Sequence, residues 1–108
     1  MLSKRLLIVI LVTLMLVVSG LQASGDPVRG KDLAQLCADC HRDDLLGDDD
    51  VPAIGGKAEA FIIKQLTAFK SGERVDEYED MVETVKEFNQ EDFADLAAYI
   101  SMLPGPAE

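Results

Sequence analysis

Both cysteines of this chain and its only histidine stand within five residues, Cys37-Ala38-Asp39-Cys40-His41. The pattern C-x-x-C-H is the attachment signature of a c-type haem. Thiols three positions apart lie on one side of a helical turn of 3.6 residues. They can reach the two vinyl groups on one edge of a porphyrin and form thioethers. His41 follows at once and supplies the proximal iron ligand.

Three other chemistries compete for these residues. A disulfide redox pair usually follows a strand in a βαβ unit, and no strand-like alternation precedes Cys37. A structural zinc ion takes four ligands, and there is no second cluster. A buried structural pair of cysteines does not call for the adjacent histidine. Haem attachment accounts for all three residues.

An iron that passes electrons without changing ligands needs a sixth donor. Methionine sulfur fits and raises the reduction potential. Beyond the leader described below the candidates are Met81 and Met102. Met81 lies 40 residues past His41, after a charged loop able to fold over the far face of the ring. Met102 sits three residues after Tyr99, near the end of the last helix, where packing or the surface explains it. An open or water-bound position is the third possibility. On the near side, Pro52 lacks an N–H, so neighbouring carbonyls are free to accept from elsewhere. Metal-bound histidines donate their second ring N–H to such a carbonyl, and Pro52 is the candidate acceptor for His41. The alternative is an ordinary turn proline.

The elements that would hold these residues are helices. Asp26 caps a helix with Pro27 at its first position, running to about Cys40 with Gly30, Leu33, Leu36 and Cys37 on its inner side. Gly30 inside a helix costs about 1 kcal/mol against alanine, and close packing on another helix would account for it. Arg42 to Asp50 is a polar loop. Its triplet Asp48-Asp49-Asp50 does not match the EF-hand spacing and reads as solvated loop. Val51 to Gly56 is a turn-rich apolar bend. Lys57 to Ser71 is amphipathic, with Ile62, Leu66 and Phe69 on one stripe, Phe61 alongside, and Gly72 as its C-cap. Glu73 to Asp80 is the charged loop, with Met81 at its end, and Val82 to Glu87 a short helical turn. Asn89 and Asp92 form a capping-box-like pair for a last helix. Phe93, Leu96, Ala97, Ile100 and Leu103 are its apolar face, and Pro104-Gly105-Pro106 stops it.

Ahead of these elements lies a leader. Lys4 and Arg5 precede an apolar run from Leu6 to Val18 that only Thr13 interrupts, and small residues follow it. This order reads as a secretory signal peptide, and the run is short of the roughly 20 residues that span a bilayer. Cleavage after Ala23 divides the chain into a signal peptide, 1–23, and one small haem domain, 24–108. Gly20 is a rival cleavage position. Retention would leave an amino-terminal anchor, the one setting in which the chain meets a membrane. A domain of this size seldom builds a sufficient core alone, and a covalent haem brings apolar surface to pack on. Export suits c-type attachment, which occurs outside the cytoplasm, and predicts a periplasmic protein.

The chain carries 20 acidic against 10 basic residues, a formal charge of −10. Such a balance argues against nucleic acid as a partner. It permits electrostatic steering toward redox partners with a basic docking surface, although solubility alone would also explain it.

Taken together the residues resemble the class I c-type cytochromes, in particular small periplasmic bacterial monohaem ones, over nearly all of 27–103. Gly30-Lys31-x-Leu33-Ala34 is similar to the family's first helix, Pro52 to Gly56 to its proline-bearing segment, and Phe69-Lys70-Ser71-Gly72-Glu73-Arg74 to its F-x-x-G-x-R stretch. Met81, Phe88 and Asp92 to Ile100 resemble its methionine and last helix. Arg42 departs from the pattern, since these relatives often carry glycine after the histidine. The resemblance implies an all-α fold, the class I cytochrome c fold, with three main helices around one covalently attached haem c. It implies haem contacts from Cys37, Cys40, His41, Met81 and Pro52, iron ligation by His41 and Met81, and a close crossing of first and last helices that gives Gly30 and Tyr99 a shared role. The function it implies is single-electron transfer, either as a diffusing carrier or as a non-catalytic haem subunit of a larger oxidoreductase such as a flavocytochrome c sulfide dehydrogenase.

Overall fold

The computed structural model describes residues 3–19 and 25–107. The described residues form helices and connecting loops and no strand, as expected. The amino-terminal apolar run forms α1 (Lys4–Ser19), with Leu6 to Val12 exposed. No helix among the described residues is long and apolar enough to cross a membrane. The expected cleavage positions, Ala23 and Gly20, lie outside the described residues.

The first helix of the domain is two segments, α2 (Pro27–Leu33) and α3 (Gln35–His41). The expected single helix is broken at Ala34, which keeps right-handed helical angles and donates to Gly30 O at 2.9 Å. Ala38 N in turn donates to Ala34 O at 3.1 Å, so the two segments follow one another directly. Asp26 caps α2 as expected, its carboxylate accepting from the amides of Val28 and Arg29. The inner side differs in part from the expected Gly30, Leu33, Leu36 and Cys37. Gly30 and Ala34 are buried, while Leu36 is half exposed.

Helix α4 (Glu59–Ser71) starts two residues later than expected and ends on Gly72 in the left-handed conformation, φ 78°. Ile62, Leu66 and Phe69 are buried, whereas Phe61 is half exposed and off the stripe. Helix α5 (Asp80–Val85) begins earlier than expected and takes Met81 into its first turn. Helix α6 (Gln90–Ile100) opens with a complete capping box: Asp92 N donates to Asn89 Oδ1 at 2.9 Å, and Asn89 N to Asp92 Oδ2 at 2.8 Å.

Helix α6 supplies the centre of the core. Phe93, Leu96, Ala97 and Ile100 are buried with Ile62, Leu66 and Phe69 of α4, Val85 of α5, Leu45, Phe88 and Ala34. Each large side chain so buried stabilises the fold by about 1.5–3 kcal/mol. Leu103 lies beyond the helix and packs on the margin of this core.

Helices α2 and α6 cross at Gly30. A β-carbon there would lie 1.9 Å from Asp95 O and 3.0 Å from Tyr99 Cβ, so the crossing is as tight as the glycine suggested. Charge locks the same crossing. Arg29 donates to Asp92 Oδ1 at 2.5 Å and to Asp95 Oδ2 at 2.6 Å, and Asp26 N donates to Asp95 Oδ1 at 2.7 Å. Both carboxylates are buried. Backbone amides and the Arg29 guanidinium hold both carboxyls below the usual carboxylate range, and the pair raises Arg29 further above its ordinary value.

Candidate haem site

The last turn of α3 carries Cys37, Cys40 and His41 together. The backbone then leaves the helix through Arg42 at φ 70° and ψ 164°, a region almost confined to glycine. The position where relatives carry glycine is one whose geometry calls for it.

The loop after Arg42 folds back on the histidine through backbone hydrogen bonds. Gly47 N donates to His41 O at 2.8 Å, and Leu45 O accepts from Ile54 N at 2.8 Å and Gly55 N at 2.9 Å. Asp48 shapes the turn between them. Its Oδ1 accepts from the amides of Asp50 and Val51, each at 2.9 Å, which holds its carboxyl below the usual range. Gly47 is required at the closure, since at φ 63° a β-carbon would lie 2.0 Å from Val51 O. The acidic triplet is therefore partly a turn device. No group of three metal-binding side chains forms among the described residues.

This folding brings Pro52 O within 2.9 Å of His41 Nδ1. A carbonyl oxygen can only accept, so Nδ1 carries the proton and donates. The Nε2 lone pair is then left for a metal, in the arrangement found at metal-bound histidines. His41 is buried at 6% exposure, which keeps the ring in one orientation.

The two cysteines are not equivalent. Cys37 is half buried against the core, while Cys40 is exposed. Burial pushes the Cys37 thiol up to about 11. Thiol redox catalysis needs a thiolate at lower pH, so the competing chemistry is poorly served. Packed against the same core as Cys37, Leu33, Ala38, Ile54, Ile63, Val82 and Leu103 are half-buried apolar side chains from separate segments. A flat apolar macrocycle packs on such a wall. Two thiols three positions apart on one helix, an oriented imidazole and that wall together fit a covalently attached haem.

Met81 is the second residue of α5, half buried against the core, and its amide N is 3.2 Å from both carboxylate oxygens of Asp76. Met102 lies past α6 with 72% exposure. The roles of Asp76 and of the Arg29–Asp92–Asp95 cluster escaped the sequence reading. For the cluster a signal existed, two acids at i and i+3 on a helix otherwise apolar on that side; for Asp76, one acid among many in its loop, none did.

A family model described as cytochrome c matches residues 27–104. Cytochrome c4 of Azotobacter vinelandii is 33% identical over 102 positions, covering 84% of this chain and 49% of that protein. Cytochrome c4 of Pseudomonas aeruginosa is 33% identical over 100 positions, covering 91% and 48%. The chain thus spans about half the length of the curated relatives it matches. Among solved structures, cytochrome c4 of Acidithiobacillus ferrooxidans superposes with a TM-score of 0.67 at 28% identity, over 76% of this chain and 52% of that one. Reduced recombinant cytochrome c4 from Pseudomonas stutzeri gives 0.68 at 24%, over 77% and 53%, a likeness of fold. None of these relatives supports the reading as a flavocytochrome c subunit.

Proposed function

This chain belongs to the cytochrome c family, with haem c as its cofactor, and from that premise we propose that it is a periplasmic single-electron carrier whose iron is ligated by His41 and Met81. The observation that carries the ligand reading is the His41 Nδ1–Pro52 O hydrogen bond, because it directs Nε2 to the metal side. The solved relative from A. ferrooxidans is described in terms of complex-induced tuning of electron transfer, which favours the same function here.

Each residue has a definite task in this reading. Cys37 and Cys40 hold the porphyrin edge as thioethers. The Pro52 carbonyl fixes the tautomer and plane of His41 and raises its basicity as a ligand. Met81 offers a soft thioether donor, which favours the reduced state. The half-buried apolar side chains beside Cys37 would keep water from a bound haem, so that charge transfer would reorganise little of the surroundings. When bound, the haem supplies a one-electron couple at its iron.

The domain would begin after cleavage at Ala23, leaving 24–108 as the exported protein. The exposed carboxylates Asp39, Asp43 and Asp44 flank exposed Cys40. Such a surface suits redox partners with a basic docking face. A membrane setting arises only if α1 is retained.

The test is spectroscopic. The ferric holoprotein should show the weak charge-transfer absorption at the red end that marks thioether ligation. Met81→Ala should abolish it and Met102→Ala should leave it intact. Loss with Met102→Ala instead would reassign the ligand, and tight azide or peroxide binding by the unmodified protein would defeat the carrier reading.

A further inference from the structure

Met81 is held by its backbone as well as by its packing. The amide of Met81 points at the Asp76 side chain, with both carboxylate oxygens 3.2 Å from the nitrogen. Asp76 is half buried, unlike the acidic residues Glu77, Glu79 and Asp80 around it. Its backbone closes the same turn, since Glu79 N donates to Asp76 O at 3.0 Å. Glu79 then takes the left-handed conformation, φ 59°, and α5 has no side-chain cap at that position. The first amides of a helix have no partner within it. Asp76 supplies one for Met81 from three residues upstream of the Glu79 cap position.

We propose that Asp76 is the positioning residue for the methionine ligand: its carboxylate, shared by both oxygens on the Met81 amide, fixes where the thioether sits. This rests on the reading of Met81 as the iron's sixth ligand. Within that reading the consequence is specific. A thioether is a weak donor and competes with outside ligands for the metal, so its grip depends on how little freedom its backbone has. The six-residue α5 provides little of its own, because so short a helix is marginal without tertiary support. Removing the Asp76 contact frees the first turn of α5 and makes the thioether easier to displace. A neighbouring carboxylate with no bond to Met81 should not have this effect, although its removal changes the charge equally.

The experiment titrates the ferric holoprotein with imidazole, following loss of the red charge-transfer band, in wild type, Asp76→Ala, Asp76→Asn, Asp80→Ala and Met81→Ala. Haem content and far-ultraviolet circular dichroism establish that each variant is folded. A hydrogen bond to a charged group corresponds to roughly a factor of ten in an equilibrium constant. Half-saturation in Asp76→Ala should therefore fall about tenfold, with Asp76→Asn, which keeps an acceptor oxygen, between that and wild type. Asp80→Ala should match wild type. Equal behaviour of Asp76→Ala and wild type, or an equal fall in Asp80→Ala, overturns the proposal. A band that persists in Met81→Ala overturns the ligand reading instead, so the two failures are distinguishable.

Discussion

The α-carbon of Gly30 meets the carbonyl oxygen of Asp95 so closely that a β-carbon on Gly30 would lie 1.9 Å from it. Two opposed effects bear on Gly30→Ala. Alanine gains about 1 kcal/mol of helix propensity. Overpacking costs about 1–3 kcal/mol, and here the obstacle is backbone, which cannot rotate away, so the cost sits at the upper end. We expect a net loss of about 1–2 kcal/mol, a fall of several degrees in Tm. Thermal unfolding of the holoprotein checks this, and an unchanged or raised Tm would show that α2 and α6 part without cost.

The same pair shows what the sequence made legible. A glycine inside a helical pattern announces a close approach, and the family resemblance pairs it with Tyr99; the residues it meets, Asp95 and Tyr99, are not on the apolar face that the spacing picks out. The C-x-x-C-H motif announced the haem, and the capping box emerged whole because both of its residues are local. What stayed hidden is long-range or depends on backbone angles. Arg29 and Asp95 are 66 positions apart, so the two acids at i and i+3 on α6 signal a paired charge without identifying its partner. Leu36 and Phe61 fit an apolar stripe by spacing yet are half exposed, because the approach of other segments decides which side is covered. The acids around Met81 predict the end of a loop there, and the Asp76 carboxylate that accepts from the Met81 amide reaches it only in the folded turn.

Arg42 occupies φ 70° and ψ 164°, and a side-chain-bearing residue held there stores about 1–3 kcal/mol of strain. Its compensations are weak, a 3.4 Å contact to Gly47 O and a 3.9 Å approach to Asp44. Glycine removes the strain but loses more backbone freedom on folding, about 0.5–1 kcal/mol. Arg42→Gly should therefore stabilise the protein by about 1 kcal/mol, with the haem spectrum unchanged. Denaturant titration measures it, and a destabilised variant would mean that the Arg42 side chain contributes more than its distances suggest.

Asp92 and Asp95 give the helix crossing an acid-sensitive part. Their carboxyls are held low in the folded state, and in the unfolded chain they return to about 3.9. A depressed carboxyl stabilises fully above its unfolded value, and that contribution disappears as pH falls through the folded value. Asp95→Asn keeps the shape but loses the charge facing Arg29, and should cost about 1 kcal/mol at neutral pH, a modest figure because Arg29 is partly exposed. The gap in Tm between wild type and Asp95→Asn should hold steady from pH 8 to about 5 and narrow below about pH 4. A gap that stays constant into strong acid would remove the carboxylate from the account.

The acidic surface makes a prediction whose sign can be read with simple reagents. The chain has ten more acidic than basic residues, and Asp39, Asp43 and Asp44 are exposed beside the attachment motif. Charges at encounter raise or lower association rates, and salt screens them over about 10 Å at 0.1 M. Oxidation of the ferrous protein by a cationic cobalt phenanthroline complex should therefore slow as ionic strength rises. Oxidation by anionic ferricyanide should accelerate over the same range. Changing Asp39, Asp43 and Asp44 to asparagine should flatten both slopes if electrons leave near exposed Cys40. Stopped-flow rates decide the matter: slopes of equal sign for the two oxidants, or slopes untouched by the triple substitution, would move the site of electron exchange away from this face.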